Sequence, residues 1–457
     1  MVFGKLVQKY IHPIFRKFGA DEDFSELLKG SLTTLIVKIL GNILGFSFML
    51  IVTNAYGDEG AAVWGKYLLA LLVLRIFVIV GRFGADTALL KFIAGFNAHG
   101  LGENIRLIYK KALTFVLPVS MVLSVIMYFG AGLIGKTMKI PSIYIEYLAF
   151  FLLPFAWMFI NTQSFRGLKD MLSFSFFFNS AVTTFAFLFI GFGLLFFKEQ
   201  LLTDHQAPLY AFSMGIAIAF ILSLFLWLKK SNKITGYDAN KRITNKNFLN
   251  MSVPLMLAQS ITFIMGWTDQ FMLGILATPE EVGIYGVAFK HSTLAVIVLL
   301  AINSIATPKF AEFHSKNDIK GLKKIVKQST KMIFWTTIPI VLFLSLFAEW
   351  VMGFSGQSFK VGAVTLLILL SGRFYSSVCG SVGSVLQMTG NQHLFQNILL
   401  VAAILNVLLN YILIPISGIQ GAAIASFFSV VFWNTIMVII VKRKFGFITI
   451  YIPFIKL

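Results

Sequence analysis

Apolar residues along this chain come in long unbroken runs separated by short charged breaks. The first six runs fall at about 31–54, 60–82, 112–134, 144–165, 173–197 and 207–228. After a polar break come 252–276, 283–306, 331–353, 361–387, 393–414 and 418–441. Each is near the roughly 20 residues that a helix needs to cross a bilayer. Barrel strands would alternate over about 10 residues, so continuous runs predict helices. The expected fold is therefore all-α and integral to a membrane, with about 12 transmembrane helices.

Composition agrees: 58% of the 457 residues are hydrophobic and 12% charged, against roughly 25% charged in soluble domains. The net charge of +19 could suggest nucleic acid. The cations, however, cluster in the breaks between runs, so no nucleic-acid partner is expected. Counted by side, about 28 of the 38 Lys and Arg fall together, which makes that side cytoplasmic. Both termini are then expected in the cytoplasm. Residues 1–30 alternate Lys5, Lys9, Arg16 and Lys17 with apolar positions and lack a signal-peptide core, which predicts a basic amphipathic arm on the membrane surface. The single cysteine, Cys379, rules out an internal disulfide framework and reads as a small buried residue.

The longest polar stretch, 229–250, divides the chain near its middle, and a repeat spans it. GAAVWGKY around 60–67 corresponds, at a shift of 221 residues, to EVGIYGVA around 281–288. Basic segments at 103–111 and 318–327 occupy matching loops. Two parallel six-helix lobes are expected, related by an axis along the membrane normal. They are an N-lobe over 31–228 and a C-lobe over 251–441, joined by a basic cytoplasmic linker at 229–250 and followed by a tail at 442–457.

Residues 130–137, GAGLIGKT, match the phosphate-loop formula. They end an apolar run on the outer side instead of linking a strand to a helix, so the match reads as coincidence. No paired carboxylates, HExxH or GxSxG appear at useful spacing, the histidines are scattered singly, and the outer loops are short. A non-enzymatic protein without a cofactor or metal is expected.

Charges inside the runs carry the functional signal, because each costs about 2.5–3.5 kcal/mol on an insertion scale. Lys38 and Arg75 lie about seven residues from the inner ends of neighbouring spans, at one depth of roughly 10 Å. Two cations so placed would repel without an anion between them. Arg373 is expected to line the same cavity, and Lys66 to snorkel to the outer interface. Asp269 and Lys290 sit at matching depth from the outer side, and two readings stand open. They form a buried ion pair, or Asp269 binds a coupling proton or Na⁺.

Several segments carry a family resemblance in their order and spacing. They are 26–57 followed by GAAVWGKY, RFGADTALLKFIAGF (82–96), 252–290 and SVLQMTGNQ (384–392). The chain resembles polysaccharide flippases of the Wzx type in the MOP superfamily, whose fold is MATE-like. The resemblance implies movement of an undecaprenyl pyrophosphate-linked oligosaccharide from the inner to the outer leaflet of a bacterial inner membrane, as in O-antigen and lipopolysaccharide export. It implies as partners a lipid-linked oligosaccharide, membrane lipids and other polysaccharide-assembly proteins, and a cationic cavity that agrees with Lys38, Arg75 and Arg373, which the cost of their buried charge places on the pyrophosphate or glycan. A MATE-like small-molecule antiporter, a membrane enzyme of glycan assembly and a scaffold for that machinery are the alternatives.

Overall fold

The computed structural model describes residues 22–233, 235–239 and 243–453, and no strand occurs among them. The N-terminal half opens with α1 (Glu22–Ala55), α2 (Gly60–Arg82), α3 (Ala85–Ala98) and α4 (Gly102–Phe129). It continues through α5 (Ala131–Met138), α6 (Ser142–Gly167), α7 (Met171–Asn179), α8 (Ala181–Phe196), α9 (Lys198–Thr203) and α10 (Ala207–Ser231). The C-terminal half begins with α11 (Asn245–Leu276), α12 (Pro279–Ser292), α13 (Leu294–Ser315) and α14 (Ile319–Leu346). It ends with α15 (Ala348–Gly353), α16 (Ala363–Cys379), α17 (Val382–Met388) and α18 (Gln392–Phe445).

Among the described residues 9 helices are long and apolar enough to cross a membrane, or up to 11 if each bent pair is one span. The pairs are α7 with α8, bent by 54°, and the two segments of α11, bent by 49°. Helix α18 runs for 54 residues with a break at Gly418, where φ is 53° and ψ −129°. A Cβ on Gly421 would lie 2.2 Å from the Leu413 carbonyl oxygen. Eight residues of straight helix would separate those positions by about 12 Å. The chain therefore doubles back at Gly418, a conformation that glycine adopts at little cost.

Two expectations need correction. The stretch 83–111, expected as a loop, is α3 together with the first turns of α4. Phe83 (φ 34°) and Gly84 (φ 77°) turn the chain between α2 and α3. The span expected over 283–306 is α12 plus α13, broken at Thr293. Of the expected N-terminal arm, residues 22–30 open α1, while Lys5, Lys9, Arg16 and Lys17 lie outside the described residues.

The two halves meet where the repeated segments cross. A Cβ on Gly65 would fall 1.6 Å from the Pro279 carbonyl oxygen, and one on Gly283 would fall 2.0 Å from that of Ala61. Glycine at both positions lets the α2 and α12 backbones touch. At the other end, Phe92 of α3 and Phe115 of α4 flank Phe248 of α11 with stacked rings. The linker is a strap on the N-terminal half: the Asn104 amide donates to the Asp238 carbonyl (2.9 Å) and accepts from its N–H (3.0 Å). Lys111 donates to the Ile243 carbonyl at 2.5 Å.

Candidate functional site

A chamber of about 660 Å³ lies among α2, α3, α6, α7, α8 and α11. Arg75, Val78, Ile79 and Arg82 of α2 face it, since residues three, four and seven apart share a helix face. The Arg75 guanidinium stands 4.5 Å over the Trp267 ring of α11. At the end of α2, Arg82 pairs with Asp86 of α3 at 2.7 Å, their side chains 9% and 1% exposed, and stands 4.1 Å over Phe159. The free edge of Asp86 accepts from the Gln259 amide at 3.2 Å, and the same amide donates to Thr87 at 2.5 Å. These bonds tie α3 to α11 across the halves.

Lys290 points from α12 across to α1. It donates to the Gly45 carbonyl and lies 5.2 Å from the Phe46 and 5.8 Å from the Trp64 ring centroid. The Arg373 guanidinium stands 5.3 Å over Phe289. Among the described residues no salt bridge joins Lys38, Arg75, Lys290 or Arg373 to a carboxylate. A cation–π contact supplies about 0.5–2 kcal/mol, whereas stripping water from an ion costs several. The Trp267 face at Arg75, and the two rings and the Gly45 carbonyl at Lys290, leave these two cations under-compensated, and an anion would complete the balance.

The expected Asp269–Lys290 pair does not form. Asp269 is enclosed by neutral donors: the Tyr285 hydroxyl (2.6 Å), the amides of Asn406 (3.1 Å) and Asn410 (2.8 Å), and the Ser426 hydroxyl. Equal depth said nothing about direction around the helix axes, and the two side chains leave on different faces. Lys38 and Arg373 are also placed apart: the chamber lining includes Arg75 but neither of them, nor Lys290, and Arg373 instead lines two other cavities. Lys38 sits two turns before Gly45 on α1, the residue whose carbonyl accepts from Lys290. Lys66 is half-buried and Cys379 buried. The phosphate-loop look-alike ends α4 and forms α5, and its Thr137 hydroxyl donates back to the Leu133 carbonyl at 2.9 Å.

Sequence reasoning missed Arg82, Asp86 and Gln259. The signal was present, because Arg82 follows Arg75 by seven residues and Asp86 follows Arg82 by four.

A bundle of membrane-crossing helices around a polar chamber is the build of a multi-pass membrane protein of a transporter type. The chain belongs to the polysaccharide biosynthesis protein family, whose profile matches residues 27–314, and a MatE profile matches 254–412. It is 25% identical over 239 residues to a probable low-salt glycan biosynthesis flippase, Agl15, of Haloferax volcanii, covering 52% of this chain and 49% of that protein. It is 21% identical over 226 residues to a putative O-antigen transporter of Shigella flexneri, covering 48% and 53%. The matched region thus spans about half the length of these curated relatives. The fold is similar to an inward-facing multidrug resistance MATE family transporter of the MOP superfamily, with a TM-score of 0.74 at 13% identity, covering 91% of this chain and 98% of that one. It is also similar to the lipid II flippase MurJ in an inward closed conformation, with a TM-score of 0.68 at 16% identity, covering 91% and 89%.

Proposed function

We propose that this protein is a flippase that carries an isoprenoid pyrophosphate-linked oligosaccharide, with undecaprenol as the lipid, from the inner to the outer leaflet of a bacterial inner membrane. The observation that carries the reading is the set of cations without carboxylates, Arg75 and Lys290 above all, held on aromatic faces between the halves. A pyrophosphate supplies the missing anion through charge-assisted hydrogen bonds. Family membership and the flippases among the relatives support the same reading.

The spans number twelve in this proposal when the limbs of α18 on either side of Gly418 count separately, giving two six-helix lobes with cytoplasmic termini. The head group enters from the cytoplasmic side, the isoprenoid stays in lipid, and rocking of the lobes about the α2–α12 crossing exposes the glycan outside. Asp269 serves as the site for a coupling proton or Na⁺, because its partners are all neutral. The MATE-like fold also fits a small-molecule antiporter, but Arg75 and Lys290, without carboxylate partners among the described residues, repel organic cations.

Native mass spectrometry of the detergent-released protein tests this. Retention of undecaprenyl pyrophosphate-oligosaccharide by the wild type, lost in an Arg75→Gln/Lys290→Gln variant, is the expected result. Retention of a small organic cation in preference to the glycolipid would overturn it in favour of the antiporter.

A further inference from the structure

The repeat makes a comparison possible between the two walls of the inter-lobe cleft. At the shift of 221, Arg75 and Arg82 correspond to Val296 and Asn303, and Phe155 and Gln163 correspond to Ser376 and Ser384. The first member of each pair lines the 660 Å³ chamber. The second member of each lines a separate cavity of about 320 Å³ among α13, α16, α17 and α18. Equivalent positions thus face equivalent spaces, and their chemistry differs. Where the N-terminal half presents two guanidinium groups, a phenyl group and an amide, the C-terminal half presents an isopropyl group, an amide and two hydroxyls.

Those polar groups are partly free. Asn303 accepts from the Ser381 hydroxyl through its oxygen, and among the described residues nothing accepts from its amide nitrogen. Ser384 and Gln387 make no hydrogen bond among the described residues. Asn434 donates to the Val430 carbonyl at 2.9 Å, which leaves its oxygen open. Arg373 stands at the edge of this cavity, its Nε sealed from solvent and without a hydrogen-bond partner among the described residues. Trp433 adds an indole to the lining. Groups that both donate and accept, set beside the Phe395 and Trp433 rings, match the alternating hydroxyls and apolar face of a sugar. The volume falls at the lower end of the roughly 300–1,000 Å³ typical of small-molecule sites.

We infer that the C-terminal half carries a sugar subsite, formed by Asn303, Ser384, Gln387, Asn434 and Trp433, that takes a neutral, hydroxyl-rich ring of the glycan whose pyrophosphate Arg75 and Lys290 hold. The inference rests on the flippase reading and gives the glycan a site of its own: the pyrophosphate is recognised at Arg75 and Lys290, and the sugar in the cavity among α13, α16, α17 and α18.

The test is binding of two probes to the full-length protein in nanodiscs: undecaprenyl pyrophosphate alone, and the same lipid bearing a neutral hexose oligosaccharide. The wild type is expected to bind the glycosylated lipid more tightly. Ser384→Leu, which fills the cavity, and the milder Gln387→Ala should each lower that affinity, by about tenfold for the former, and leave affinity for the bare lipid unchanged. Unaltered binding of the bare lipid also reports that the variants fold. Equal wild-type affinity for the two probes, or no selective loss in either variant, would overturn the subsite and leave the flippase reading standing. Binding of neither probe by the wild type would overturn that reading and this inference with it.

Discussion

Gly65→Ala perturbs a crossing where the halves touch backbone to backbone. The added methyl would lie 1.6 Å from the Pro279 carbonyl oxygen, 2.6 Å from its carbon and 2.9 Å from the Gly283 nitrogen. Comfortable heavy-atom contacts begin near 3.5 Å, so α2 and α12 must part by roughly 2 Å at the crossing. Both neighbours are backbone and cannot swing away, which places the cost towards the upper end of the ~1–3 kcal/mol of overpacking. At 1.4 kcal/mol per factor of ten, about 3 kcal/mol lowers the population of the closed-crossing state by about 100-fold relative to a state with these ends apart. Spin labels at Asp58→Cys and Glu280→Cys, both exposed beside the crossing, read the separation by pulsed electron resonance. The expected result is a longer distance in Gly65→Ala than in Gly65, with the protein still folded. An unchanged distance distribution in a folded variant would refute the assignment of this crossing as the contact that opens.

Other predictions follow from the chamber and its surroundings. Lys38→Gln should reduce glycolipid transfer far less than Arg75→Gln, because only Arg75 lines the chamber; equal losses in a liposome assay would restore Lys38 to the site. Asp269→Asn replaces one acceptor oxygen by an amide NH2 facing donors from Tyr285, Asn406, Asn410 and Ser426, costing about 1–3 kcal/mol. Thermal unfolding should show the loss, and any proton or Na⁺ dependence of transfer should disappear. Gln259→Leu removes the bonds to Asp86 and Thr87 and should lengthen the distance between spin labels at Ala98→Cys and Lys246→Cys, a change that a purely intra-helical role for Gln259 would not produce.

Much of the fold was legible because lipid imposes a single rule, a long apolar run for each crossing. Helix α2 begins and ends where its run does, at Gly60 and Arg82. Helix α3 was not legible, because its Asp86 and Lys91 interrupt the apolar pattern, and its apolar face is covered only once α4, α6 and α11 lie against it. The 54° bend between α7 and α8 falls at Ser180, with neither Pro nor Gly to announce it. At the site, the sequence marked Arg75 and Arg373 by the cost of burying charge. It could not supply the azimuth of a side chain, which sends Asp269 into a cage of amides and hydroxyls and Lys290 towards α1. Charges near a helix end look like loop residues, and this hid Arg82 and Asp86.

The central claim is that the cationic chamber carries the pyrophosphate of a lipid-linked glycan across the bilayer. Its most direct test is the rate at which labelled undecaprenyl pyrophosphate-oligosaccharide, loaded in the inner leaflet of proteoliposomes, becomes accessible to an external probe. The account predicts transfer by the wild type and background rates for the Arg75→Gln/Lys290→Gln variant at equal protein insertion. Equal transfer by both, or by neither across several glycans, would contradict it.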